Sequence, residues 1–186
     1  MDYGKGVDDL VTALKALSVN RNRFYVRFRE GGLSYEQLRA FAGPYYWMCV
    51  QYEGRLLPGL IARVPISETV IRLELVRTLY SELGACDPTR VHAALFAKFM
   101  RAVGYTDAAI TRATPIPAVT AYVEQLDEVF RRESFTTALG AALGVEVTSA
   151  TEFEYLTPGA LTYRPMLDDD ALEYFTLHAI EEEHHS

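Results

Sequence analysis

The chain has 186 residues, 49% of them hydrophobic, and a formal charge of −7 at neutral pH. That length suits one domain, residues 1–186, with a sizeable core. The acidic balance excludes a protein that works by coating nucleic acid, because phosphate neutralisation needs clustered Lys and Arg. No stretch nears about 18 uninterrupted apolar residues, so no membrane-spanning helix is predicted. The N-terminal MDYGKGVDDLVTALKAL lacks the basic flank and apolar block of a signal peptide. Two cysteines, Cys49 and Cys86, show neither disulfide nor zinc spacing, which points to a reducing cytoplasm.

In chain order, nearly every segment has the apolar period of a helix. VDDLVTALKAL puts Val7, Leu10, Leu14 and Leu17 on one stripe. Asn20 or Asn22 caps a helix through RFYVRFRE, which Gly31-Gly32 ends. Ser34 with Gln37 makes a capping box for a long aromatic-rich helix over 35–64, with kinks expected at Pro44 and Pro58. Ser67 opens the next helix, which stops at Gly84. Asp87-Pro88 is expected to cap a helix running to Gly104. A short helix near 106–112 follows, then helices over 118–133 and 134–156. Pro158-Gly159 and Pro165 punctuate a short piece, and Asp168 to Asp170 cap the last helix, ALEYFTLHAIEEEHH. No strand alternation is sustained, and no repeat or linker interrupts the pattern. The prediction is an all-α bundle of about seven or more helices.

Chemistry concentrates at the C-terminus. His178, Glu182 and His185 stand at i, i+4 and i+7, so they share one helix face. Two imidazoles and a carboxylate on one side suit a first-row metal such as iron or manganese. The same acidic run also reads as a solvated helix end. His92 falls on the face of Leu95, Phe96 and Phe99, as a core histidine or as a ligand. Glu82 ends the helix before it. Glu146 sits among Ala, Gly, Leu and Val, where a buried carboxylate is costly without a partner; the alternative is an outward-turned position.

The order Glu-x9-His (82 to 92), then ALGAALGVE, then His-x3-Glu-x2-His on the last helix resembles the haem-oxygenase-like diiron oxidases and oxygenases. The stretches GGLSYEQLRAFAGPYYWMCVQYEGRLLPGLIARVP and LYSELGACDPTRVHAALFAKFMRAVG resemble that family's helices in order and spacing, so that the likeness covers roughly 18–186. It implies a haem-oxygenase-like fold, two iron ions, dioxygen as co-substrate, and Glu82, His92, Glu146, His178, Glu182 and His185 as metal ligands, with Glu146 bridging. Some relatives carry a further carboxylate on the upstream long helix, where Glu53 falls here. The sequence departs from the family twice. Glu182 stands where Asp is usual, and the chain has one residue after His185 where relatives continue in helix. The last ligand is therefore expected on a frayed turn, ordered with metal and holding a labile second iron, with a short product or a disordered tail beyond.

The resemblance implies oxidation of a small molecule by dioxygen, with a homodimer as relatives suggest and no nucleic acid or membrane partner. Relatives divide among N-oxygenation of amines, oxidative C–C cleavage of fatty or amino acids, and self-modifying chemistry. The preferred expectation is N-oxygenation of a small amine or amino acid in biosynthesis. Tyr25, Tyr46, Trp47 and Phe96 are expected near substrate, with Phe24, Phe28 and Tyr45 also in aromatic helices. Arg77, or Arg27 or Arg164, would hold a substrate carboxylate. The rival readings are metal-free enzymes of the wider fold, thiaminase-like or quinone-cofactor oxidases, and a non-catalytic helical binding module.

Overall fold

The computed structural model describes residues 3–17, 22–164 and 166–185, with side chains described at 5–17, 22–164 and 166–179. Every regular element among them is helical. The helices are α1 (Tyr3–Ala16), α2 (Arg23–Arg29), α3 (Tyr35–Gln51), α4 (Leu57–Ile61), α5 (Thr69–Glu82), α6 (His92–Ala102), α7 (Asp107–Thr111), α8 (Pro117–Arg132), α9 (Phe135–Leu161) and α10 (Asp169–His185). Where the sequence suggests a single domain, the contacts group into two compact units: residues 34–141, and residues 1–33 with 142–186.

In the 34–141 unit, Ser34 and Gln37 form the expected reciprocal cap at the start of α3. The helix then runs through Pro44 and ends at Gln51. The predicted long helix breaks ahead of Pro58, in a π-helical turn over Tyr52–Leu56. Pro58 has no N–H to bond the carbonyl four residues back. The wider pitch, in which the Leu57 amide reaches the Tyr52 carbonyl, carries the chain past it into α4. Phe41, Tyr45, Phe96 and Phe99 pack edge to face and tilted, and Leu56, Leu57, Leu60, Leu95, Met100, Val123 and Phe130 complete a buried core. Arg63 donates to the carbonyls of Phe130 and Glu133, which satisfies the C-terminal end of α8.

Two starts differ from the sequence reading. Ser67 does not cap α5; Glu68 holds that position without a side-chain bond. Asp87 does not open α6 either. Its carboxylate accepts from the Thr89 amide and hydroxyl, a local turn that competes with helix, and α6 begins at His92.

In the other unit, Asn22 caps α2 by accepting from the Phe24 amide, and Asp168 caps α10 by accepting from Ala171. The helix expected to stop before Pro158 continues to Leu161. What favours continuation is packing. Gly159 lies against Phe28, which is fully buried and also meets Tyr163 and Phe175. The Tyr25 hydroxyl donates to the Glu152 carboxyl, tying α2 to α9. Burial pushes Glu152 up to about 7, against the pull of that hydrogen bond. Among the described residues no helix is long and apolar enough to cross a membrane.

Two outcomes are expected. A Cβ at Gly159 would lie 2.3 Å from the Phe28 ring and 2.6 Å from its carbonyl oxygen, so Gly159→Ala should cost about 1–3 kcal/mol in urea denaturation. Glu152 binds its proton more tightly folded than unfolded, so its share of stability is full below about 4.5 and is lost as pH rises through about 7. That share is at most about 3 kcal/mol for a 2.5-unit rise. Glu152→Gln should flatten this part of the pH profile, which denaturation of both proteins from pH 5 to 8 would show (about 1 kcal/mol or more of difference).

Candidate metal centre

Within the 34–141 unit, three side chains of the right chemistry meet. Glu53 lies in the π-helical turn, Glu82 is the last residue of α5, and His92 is the first of α6. Glu53 and His92 are buried, at 8% and 3% exposure, and Glu82 is half-buried. The His92 Nδ1 stands 2.9 Å from Glu82 Oε2. Glu53 accepts from the Ala93 amide in the first turn of α6, where the helix end favours negative charge. Its Oε2 has no hydrogen-bond partner among the described residues.

Electrostatics follow from that placement. Burial raises Glu53 most, the neighbouring Glu82 carboxylate raises it further, and Ala93 and His92 pull the other way. The balance leaves Glu53 at about 7. Two carboxylates and an imidazole packed in a dry place are costly to leave without a counter-charge. A cation removes the repulsion and takes the orphaned oxygen. The donor set, oxygens and an imidazole nitrogen, fits iron. A π-turn inside a helix is a frequent mark of a functional position, because it re-aims one side chain.

The connection between Glu82 and His92 is itself unusual. Gly84, Ala85 and Cys86 all have positive φ, at 65°, 54° and 71°. Only glycine adopts that region without penalty, so Ala85 and Cys86 each cost on the order of 1 kcal/mol. The turn reverses the chain and returns α6 against the end of α5. A Cβ on Gly84 would come within 2.4 Å of the Arg90 carbonyl carbon. Glycine is therefore required there for steric and conformational reasons together.

In the other unit, His178 on α10 is buried and stacks on Phe153, with ring centroids 4.2 Å apart at 14°. Tyr174 closes the ring's surroundings at 4.3 Å. Nδ1 of His178 lies 2.7 Å from the Tyr174 carbonyl, one turn back. A carbonyl only accepts, so the proton sits on Nδ1 and the lone pair on Nε2. Metal-bound histidines are held in this way, by a carbonyl that fixes the tautomer. Glu146 is half-buried on α9. The backbone of Glu182 and His185 continues α10, and their side chains lie outside the described residues.

The weaker sequence candidates fall in varied places. Tyr46 is half-buried one and a half to two turns before Glu53; burial and then Glu53 raise its phenol, so it stays protonated. Trp47 is half-buried beside it. Phe96 is fully buried between Tyr45 and Phe99, as core. Arg77 is exposed and paired with Glu74 at 2.7 Å. Arg27 donates to the Gly32 carbonyl, and Arg164 pairs with Asp169. Sequence reasoning missed Glu152 entirely and gave Glu53 little weight. A carboxylate flanked by Tyr52 and Gly54, four residues before Pro58, was the available signal for Glu53.

The family profile described as iron-containing redox enzyme matches residues 41–186. The chain belongs to this family. Its fold is accordingly the all-α, haem-oxygenase-like bundle. A similar protein is the 4-aminobenzoate synthase of Nitrosomonas europaea, 27% identical over 191 residues, which cover 99% of this chain and 75% of that enzyme. The iron that defines the family accords with the donor set of Glu53, Glu82 and His92.

The Gly84 turn yields a direct test. Gly84→Ala forces the Arg90 carbonyl away and displaces His92 from Glu82, so ferrous-iron affinity should fall at least tenfold and stability by about 1–3 kcal/mol. Isothermal titration of the variant under anaerobic conditions, beside chemical denaturation, measures both.

Proposed function

We propose that this protein is a non-haem diiron enzyme that uses dioxygen to oxidise a small nitrogen-bearing molecule. The observation that carries the reading is the buried Glu53–Glu82–His92 group, whose repulsion and orphaned oxygen call for a cation. These three would hold one iron. Glu146 would bridge to a second, held by His178, Glu182 and His185. Iron so held supplies the one-electron chemistry that lets dioxygen react with an organic substrate.

The chain's own residues do the rest. The Tyr174 carbonyl keeps the lone pair of His178 on Nε2, ready for metal. The aromatic flanks of His178 exclude water from the ring. Tyr46, held protonated near Glu53, offers its O–H to an acceptor on the substrate. The relative from Nitrosomonas europaea makes an aromatic amine, 4-aminobenzoate, and nitrogen chemistry on an amine is the expected direction here. N-oxygenation is preferred to C–C cleavage on that ground. The free thiols of Cys49 and exposed Cys86 suit a reducing cytoplasm.

The test is anaerobic titration with ferrous iron followed by rapid mixing with dioxygen. The wild type should take up about two irons per chain and develop a transient visible band. Glu82→Gln, His92→Ala, Glu146→Ala and His178→Ala should each lose at least one iron while keeping far-UV helicity. Glu53→Gln should weaken uptake roughly tenfold or more. Two irons retained in His92→Ala and His178→Ala alike would sink the site. No uptake by the wild type would return the protein to the metal-free or binding-module readings.

A further inference from the structure

Helix α5 has two apolar faces. Ile71, Leu75 and Leu79 turn inward and are half-buried, yet no residue of the helix is buried. The other face is open. Val70 (72% exposed), Leu73 (58%), Val76 (43%) and Tyr80 (51%) form a stripe in steps of three and four, continued by Ile66 (91%) and Leu83 (40%). In monomeric proteins contiguous apolar surface of this kind marks an interaction site. A helix hydrophobic on both sides is a buried helix.

The rim of the stripe indicates the occupant. Glu74 and Arg77 stand along one edge, paired at 2.7 Å, so the edge carries both signs and no net charge. Antiparallel helices related by a two-fold axis meet with like edges together. With the axis beside Val76, Leu73 packs on the partner's Tyr80 and Val70 on the partner's Leu83. The same operation lays Glu74 beside the partner's Arg77, and Arg77 beside the partner's Glu74. The chain as a whole carries −7, so two copies repel except where the facing surfaces are neutral and charge-matched. This face meets that condition, and a strongly charged partner would find no matching excess on it. Specific dimers bury about 800 Å² on each partner; six large, largely exposed side chains supply the apolar core of such a patch.

We propose that the open face of α5 is a dimer interface, at which two copies of this chain associate through antiparallel α5 helices. The helix that ends in Glu82 thereby gains the covering that its own unit does not provide. This association does not depend on iron.

Sedimentation velocity over about 1–100 µM tests it. The wild type should sediment as two copies. Leu73→Asp, on the stripe, and Glu74→Arg and Arg77→Glu, on its rim, should each raise the dissociation constant at least tenfold, with far-UV helicity unchanged. Each rim variant places like charges across the two-fold twice. Mixing Glu74→Arg with Arg77→Glu should restore the two-copy species, since every facing pair is then opposite in sign. A wild type that remains a single copy up to about 100 µM overturns the proposal. So does a dimer indifferent to Leu73→Asp, or a mixture that stays as single copies.

Discussion

Two buried carboxylates crowd one imidazole, and the 34–141 unit is built to keep them there. Glu53 and Glu82 raise each other's cost of ionisation, and burial adds to it. Left to themselves such groups would take up protons or turn to water. The core prevents the second outcome. Leu95, Phe96 and Phe99 anchor α6 among Tyr45, Leu56 and Leu60, so His92, on the same helix, has no freedom to swing outward. The group is therefore held against its own electrostatics, which is the arrangement a bound cation reverses. Stability is spent on placing charge where only metal relieves it.

The three side chains arrive by irregular backbone. Glu53 comes from a π-turn, Glu82 from the last residue of a helix, and His92 from the first residue of the next. Regular α-helix repeats its directions every turn, and it cannot by itself converge three side chains from one short region. The left-handed run at Gly84, Ala85 and Cys86 closes the path between two of them at a cost in strain. Strain of this kind persists where the surrounding packing over-determines it. Here Asp87, bonded to Thr89, and Gly84, pressed against Arg90, do so on either side of the turn.

The second unit prepares its histidine by different means. No carboxylate orients His178; a backbone carbonyl one turn back fixes its tautomer, and two aromatic rings fix its plane. The same unit buries Glu152 against Tyr25, a polar tie between α2 and α9 in an otherwise apolar interior. A protonated carboxyl can be held there because its charged form is disfavoured by burial. The unit thus places one ionisable group for chemistry and another for cohesion.

The sequence by itself determined the class of structure and much of the ligand set. Helical periodicity, the Ser34–Gln37 box, the Asn22 and Asp168 caps and the glycine stops at 84 and 104 are local signals, and local energetics decide them. The histidines were legible because the chain has only four, in an order shared with an iron-containing family. Tertiary structure decided the rest. α9 continues through Pro158 because Gly159 packs on Phe28, a contact more than a hundred residues distant in sequence. α6 starts late because the Asp87 side chain prefers its own turn. Glu53 became a central residue because a wider helical turn aims it inward, and Arg77 left the candidate pocket because its face of α5 points outward. Which way a side chain faces after a break in helix depends on the packing that follows the break, and no local pattern encodes that.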